Sequence, residues 1–580
     1  MTPNLPVWRG ETPFYEIWFA VVIEQASRRA TWVRYTLYSG EGGARATLWA
    51  AAFDGDGEPI AEKKIAGIDV FDRGPDDRFA VRIGDAEIGH GYIRGSIDRL
   101  AWDLRFTPAA APAVRTPRLA NRLPLPTKAV HANADVPFSG TVTVDGKARA
   151  LEGAVGTQMH IWGTRRVEEL AWAWDPNAKI EIVSAGPSTS VLVGDLDLTQ
   201  PPAALLAKRR VLRESAALDV RARGGMRLVR ARAFCDPRTL VGYVYRDPSG
   251  RDLAVAQSDV ATCHVEVFRR RATGLVPERV IVTRGASALE IHGPEPLAGV
   301  SYIPWDETER PPSPRSRRTA ATSELPKLGR IVALGLTYRD HVRETSSTPE
   351  LAAFEKHAKT FLPEGEWVTS PSSDEILAAL DVAEPGLASA LRDRFAFVPA
   401  ILDYEVELAM VVLAGGRVGW TIANDVTARS CQVLGEGAAD PMTFWAVAKS
   451  FPGFLPIGPR LFVSDTIPVT TLTTRVNGEV RQRSSTTELM YDKDRIVARA
   501  GLVLGRPLAE GDIVLTGTPA GVAFHVSPLK RKLGATLLSR FGRLAAVIGG
   551  YAKSDAFLRP GDVVEVDGGV LGARRVTIRA

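Results

Sequence analysis

Cysteine is scarce in this chain of 580 residues: Cys235, Cys263 and Cys431 lie far apart and show no metal-ligand spacing. That excludes a disulfide scaffold and a thiolate metal centre, and it suits a reducing compartment. Long apolar runs are missing too. None approaches the roughly 20 residues that a membrane-spanning helix needs, so no span is expected. The first residues stay polar until WFAVVI, a run too short and too unlike a charged-then-apolar leader to be a signal peptide, and a cytoplasmic location is the expectation. Short-period repeats and low-complexity tracts are absent. The net charge is +5, but the basic residues are scattered, with one cluster in PPSPRSRRTAA that reads as a solvated linker. Without a nucleic-acid module beside it, that cluster gives no reason to expect a nucleic-acid partner.

What is present is an ordinary globular composition, 45% hydrophobic and 24% charged, on a chain long enough for several domains. From about Phe14 to His292, short alternating segments such as YEIWFAVVIE, ATWVRYTLYS, SGTVTVDG, LAWAWD and HVEVFRR are broken by Gly, Asp and Pro. This pattern predicts an antiparallel all-β half. The best helical window there is ALLAKRRVLRESAALDV. Two barrels in tandem, residues 1–120 and 121–304, fit the length better than one, with the divide at the Pro-rich RTPRLANRLPLPTKAV. Residues 305–327 break all periodicity with Pro, Ser and Arg and are expected to form an exposed linker. Residues 328–580 change to mixed α+β. Apolar strands are expected at GRIVALGL and GDIVLTGT, a helix at SDEILAALDVAEPGLASALRDRF, and a type I′ hairpin at Asn477-Gly478.

In LDYEVELAMVV, Asp403, Glu405 and Glu407 fall at every second position and so share one face of a strand, opposite Tyr404, Val406 and Leu408. Such a face is solvated, neutralised by Arg or Lys, or gathered round a cation; oxygen-only ligands favour magnesium, manganese or calcium over zinc. Further on, GWTIANDVTARSCQ places Arg429 and Gln432 four and seven residues after Asp425, one stripe of a helix that begins there. Lys449 sits among apolar and aromatic residues in WAVAKSFPGFLPIGP, and a snorkelling surface lysine is the plain alternative. LAEGDIVLTGTPAGV supplies strand, turn and glycines, a form in which backbone N–H groups such as that of Gly517 can cradle a carboxylate.

Taken in order, GLTYRDHVRE, LDYEVELAMVV, GWTIANDVTARSCQ, AKSFPGFLPIGP, RVNGEVRQ, LTGTPAGV and LRPGDVVEVDGG make the chain from about Gly329 onward closely similar to the fumarylacetoacetate hydrolase family. The resemblance implies a mixed β-roll that dimerises and binds a divalent cation, usually magnesium, through Glu405, Glu407 and Asp425. It implies 2-oxo or 1,3-dioxo acid substrates, with the cation as a Lewis acid. It also implies Lys449 stabilising developing negative charge, Arg429, Gln432, Gly517 and Thr518 holding the substrate, and a catalytic pair of His341 and Glu344 on a helical lid turn. Leu334 stands where some members carry a further carboxylate, so a three-carboxylate site is expected. Ser430 replaces the usual Asp after the Arg. Two long inserts, one between His341 and the acidic strand and one after TGTPAGV, are expected to shape the pocket mouth and to admit a larger substrate.

In the first half, MHIWGTRRVEELAWAWDPN resembles the motif of the carotenoid 1,2-hydratase and lipocalin-like family at His160, Trp162, Gly163, Trp172, Trp174 and Asp175. That family's Tyr-x-Asp pair has no counterpart in KIEIVSAGPSTS, and a tryptophan stripe is more often core than ligand box. The combined expectation is a metal-dependent hydrolase that cleaves a C–C bond in an acylpyruvate-type acid, with barrels that bind an apolar ligand. Open beside it are decarboxylation or tautomerisation at the same site, a non-catalytic binding protein, and a hydratase, cyclase or pericyclase in the barrels.

Overall fold

The strand Phe14–Glu24 is buried along its whole length, and a strand buried on both faces must be covered twice. In the computed structural model, which describes residues 4–118, 123–311, 326–345, 351–525, 534 and 536–580, the period-2 alternation divides this strand between two cores. Trp18, Ala20 and Val22 point into one, with Trp102, Leu104 and Phe138. Tyr15, Ile17, Phe19 and Val21 point into the other, with Trp172, Trp174, Tyr243 and Val255. The chain forms two compact units: residues 1–265 with 281–316, and residues 266–280 with 317–580.

The first unit is all β apart from short helical turns. A 12-stranded sheet runs from Ile60–Gly67 through Phe14–Glu24 and Ala154–Gly163 to Phe71–Asp72. It curls on itself, so that Tyr35 Oη donates to the carbonyls of Glu87 and Arg94 at 3.1 and 2.8 Å. An 11-stranded sheet, begun by Leu170–Asp175, covers its other face.

This arrangement corrects three expectations. The strands Thr127–Val144 and Ala154–Gly163 pair with Leu100–Phe106 and Phe14–Glu24, so the Pro-rich stretch before them connects strands of one sheet and the changeover between sheets lies after Gly163, not at 120/121. The helical window becomes a single turn, Ala203–Leu206, followed by the strands Lys208–Leu212 and Ala217–Gly224, where pairing outweighs propensity. Trp305 and Asp306 are not linker. Trp305 packs edge-on against Tyr38 with ring centroids 5.1 Å apart, and Asp306 pairs with Arg45 at 2.9 Å. Residues 312–325 of the expected linker lie outside the described residues.

The second unit is α+β. Val406–Val412 lies between Val418–Asn424 and Ile513–Leu515, antiparallel to both, and Ile513–Leu515 runs parallel to Ile331–Gly335. Its even-numbered side chains, Val406, Leu408 and Met410, pack with Trp420, Ile422 and Leu472. Ala409 and Val411 pack on the opposite side with Ile331 and Ile513. A five-stranded sheet contains the expected hairpin, with Asn477 and Gly478 both at positive φ, +50° and +81°. The expected long helix is two, Ser373–Ala383 with a Ser372/Glu375 capping box and Leu387–Arg392, parted at Pro385-Gly386. No helix of the described residues is long and apolar enough to cross a membrane.

Candidate active site

Glu405 and Glu407 point to the same side as Ala409 and Val411, but at the end of the strand, where the apolar filling stops. There the turn after Val418–Asn424 brings in Asp425, whose N–H donates to the Glu405 carbonyl at 2.8 Å. One carboxylate oxygen from each of Glu405, Glu407 and Asp425 lies within 4.8 Å of the other two, and all three residues are buried. Asp403 belongs to a separate short strand, Leu402–Asp403, and accepts N–H bonds from Ala523 at 2.8 Å and Phe524 at 2.9 Å. The regular alternation across all three acids is therefore broken, and Asp403 supports the cluster from outside.

Three cations surround these acids. Lys449, the last residue of the helix Pro441–Lys449, donates to Glu405 at 2.5 Å and to Asp425 at 2.6 Å. Burial opposes its charge, but Asp425 and Glu405 outweigh that and hold it protonated above the usual lysine range. Arg429 donates to Asp403 at 2.8 Å through Nε and to Glu405 at 2.6 Å through Nη2. Lys356 donates to the second oxygen of Asp425. Burial, with Lys449 nearby, lowers the Lys356 pKa against the pull of Asp425.

Burial and then the charge of Asp425 push the Glu407 carboxyl well above the usual range, even though Gly517 N–H donates to it at 2.8 Å. An all-oxygen donor set with crowded like charges fits a hard divalent cation. The four carboxylates exceed the three cations by one charge. A bound divalent cation turns that balance to one positive charge, suited to an acidic substrate.

His341 and Glu344 lie on the helix Arg339–Thr345, with His341 Nδ1 and Glu344 Oε2 3.2 Å apart. Glu344 also accepts the Gly521 N–H at 3.1 Å. Burial raises its pKa, but the bonds to His341 and Gly521 prevail, and it stays below the usual carboxylate range. One segment links the pair to the acidic residues: Gly517 N–H donates to Glu407, Gly521 N–H to Glu344, and Ala523 and Phe524 N–H to Asp403.

Other expected residues are placed differently. Asp425 is not on a helix with Arg429 and Gln432; the helix is Arg429–Leu434, and Asp425 precedes it across the short strand Thr427–Ala428. Arg429 is only 5% exposed and is engaged by carboxylates, while Gln432 accepts from it at 2.6 Å. The Thr518 hydroxyl accepts from Gln482 at 3.0 Å and donates to the Val406 carbonyl at 3.2 Å. Ser430 donates to the Ala400 carbonyl at 3.1 Å, and Leu334 is core.

Sequence reasoning missed Lys356 and Gln482. The first comes from the insert between His341 and the acidic strand, which contains the strand Ala352–Lys356; there Ala352, Phe354 and Lys356 alternate as the buried positions. A lysine ending the apolar face of AAFEK was the available signal.

In the first unit, His160 stacks between Trp18 and Trp162 at centroid distances of 5.0 and 4.5 Å and pairs with Glu16 at 2.8 Å. Asp175 accepts from Ala178 N–H and Ser287, both at 2.8 Å. These residues of the His-x-Trp-Gly motif are built into the packing.

The sheet thus carries a buried all-oxygen centre of a kind that could hold a divalent cation. Residues 330–579 match the family model described as fumarylacetoacetate hydrolase, C-terminal. The chain belongs to the fumarylacetoacetate hydrolase family, and it is an enzyme of that family. It is 28% identical over 259 residues to oxaloacetate tautomerase FAHD2A, mitochondrial, of Bos taurus, covering 42% of this chain and 72% of that one. An uncharacterized protein of Methanocaldococcus jannaschii is 32% identical over 205 residues, 33% of this chain and 73% of its own. Among solved structures, fumarylpyruvate hydrolase from Pseudomonas aeruginosa in complex with Mn2+ and pyruvate aligns at 21% identity and a TM-score of 0.30, covering 49% of this chain and 97% of that one.

Proposed function

We propose that the C-terminal unit hydrolyses a C–C bond in an acylpyruvate-type 1,3-dioxo acid, with Glu405, Glu407 and Asp425 holding magnesium, manganese or calcium. The observation that carries this reading is the convergence of those carboxylates, with the segment that donates to Glu407 from Gly517 N–H donating also to Glu344 of the His341–Glu344 pair from Gly521 N–H. When bound, the cation supplies Lewis acidity toward the substrate's adjacent oxygens.

With Nδ1–H donated to Glu344, His341 carries its lone pair on Nε2 and takes a proton from water. The water oxygen adds to the acyl carbonyl carbon. The bond from that carbon to the methylene breaks, its electron pair passes to the methylene side as an enolate, and a proton completes pyruvate while the acyl group leaves as a carboxylic acid. Glu344 stabilises the imidazolium in between. Lys449, fully protonated, balances the negative charge that develops on the substrate oxygens. Arg429 and Gln432 act by fixing Asp403 and Glu405, and Gly517 and Thr518 shape the floor on which the substrate carboxylate rests.

A second reading, tautomerisation of a 2-oxo acid, is favoured by the identity to the bovine oxaloacetate tautomerase. It needs no attack by water: His341 would move a proton between the carbon beside the substrate carbonyl and the enol oxygen. Assembly as a cytoplasmic homodimer through the C-terminal unit is proposed on the family resemblance. The test follows loss of enol absorbance for a panel of acylpyruvates and for oxaloacetate, with magnesium or manganese, in the intact protein, Glu407→Gln and His341→Ala. Turnover lost in Glu407→Gln supports the acidic centre. Cleavage products that vanish in His341→Ala support hydrolysis, whereas enol loss without pyruvate release selects the tautomerase.

A further inference from the structure

The first unit holds a cavity between its two sheets of about 120 Å³, lined by Phe19, Trp32, Met159 and Trp172 and by the side chains of Arg34 and Arg166. An engineered apolar cavity of roughly 150 Å³ in another protein takes up benzene, so this space suits one aromatic ring or a short branched chain and not a long isoprenoid.

The two arginines are 5% and 7% exposed. Arg34 donates from Nε to Thr36 Oγ1 at 3.0 Å and lies over the Tyr245 ring at 3.8 Å. Arg166 donates from Nε to the Arg246 carbonyl at 2.9 Å and lies over the Tyr15 ring at 4.3 Å. In both, Nη2 is buried with no hydrogen-bond partner.

A buried charged donor left without a hydrogen bond is costly, and among the described residues no carboxylate accepts from either Nη2. Glu290 lines the cavity but bonds to His292. Asp247 accepts the backbone N–H of Arg166 and that of Ser249, not a guanidinium. Burial and then the charge of Arg34 lower the Arg166 pKa to about 10, against the pull of Tyr15, Tyr245 and Asp247.

We propose that this cavity binds a small carboxylic acid with an aromatic or short branched body. The body lies against Phe19, Trp32 and Trp172, and the carboxylate takes the unpartnered N–H groups of Arg34 and Arg166, a geometry to which guanidinium donors are matched. This inference does not depend on the reaction assigned to the C-terminal unit.

Calorimetric titration of the full chain tests it, in chelator and in a Glu407→Gln background so that binding at the acidic centre does not register. Benzoate and phenylacetate are compared with benzyl alcohol, and each is repeated with Arg34→Met and Arg166→Met. The expected result is saturable binding of the acids, at least tenfold tighter than benzyl alcohol, and weakened at least tenfold in either variant. Crystals soaked in 4-iodobenzoate should show iodine beside Trp32. Benzyl alcohol binding as tightly as benzoate, no saturable binding of either acid, or iodine elsewhere only would overturn the proposal. So would acid affinity unchanged in both folded variants. Should either variant fail to fold, the acid-to-alcohol comparison in the parent chain decides alone.

Discussion

Lys356 and Asp425 form an ion pair with no solvent exposure at the lysine and 1% at the aspartate, joining a strand edge to the turn that brings Asp425 to the acidic centre. Removing one partner of a buried pair costs about 3–5 kcal/mol. Lys356→Met should therefore lower the thermal midpoint of the C-terminal unit in chelator, because the acidic cluster loses a counter-charge. Added magnesium should restore more stability to the variant than to the parent. Calorimetry with and without the metal checks both.

Gly517 stands at φ +88°, and a Cβ there would lie 2.3 Å from Thr337 Oγ1. Gly517→Ala thus combines left-handed strain of about 1–3 kcal/mol with displacement of the N–H that Glu407 accepts. We expect a lower thermal midpoint and weaker magnesium binding, measured by calorimetric titration.

Arg429 holds Asp403 and Glu405 with one planar fork. Lysine keeps the charge but cannot reproduce two directed bonds of that geometry. Arg429→Lys should weaken metal binding by about 10- to 100-fold, as losses of supporting partners do. An unchanged dissociation constant would remove Arg429 from the site's supporting frame.

Asp512 accepts N–H bonds from Arg330 at 2.9 Å and Ala509 at 2.8 Å, and pairs with Arg506 at 2.7 Å. Burial opposes its charge, but these partners lower its pKa below the ordinary aspartate value. A depressed folded pKa adds stability that is fully present above the unfolded value of about 3.9 and is lost as pH falls through the folded value. Asp512→Asn should cost about 1–3 kcal/mol at pH 7, and the gap from the parent should close below about pH 4. Denaturant midpoints measured across that range check the sign.

The shared side of Glu405 and Glu407 and the Asn477-Gly478 turn were legible because each depends on neighbours in sequence. Period-2 alternation put Glu405 and Glu407 on one side, and backbone sterics set the positive φ of the turn. Glu405, Glu407, Asp425, His341, Glu344 and Lys449 were picked out through ordered motifs; the structure gathers the three carboxylates with Lys449 and pairs His341 with Glu344. Lys356 was not found: its local signal is only its place at the end of the apolar alternation in AAFEK, while Asp425, the partner that draws it into the centre, lies 69 residues on.

By itself, the sequence determined an all-β first half, an α+β second half and the residue types of the acidic centre, since periodicity and donor chemistry are written in the chain. Only the tertiary structure decided which strands share a sheet, that Arg429 is engaged by carboxylates, that Lys356 reaches Asp425, and that Arg34 and Arg166 face one cavity. Those are pairings between residues far apart in sequence. They are selected by packing and by the cost of leaving buried charge uncompensated, not by any local preference.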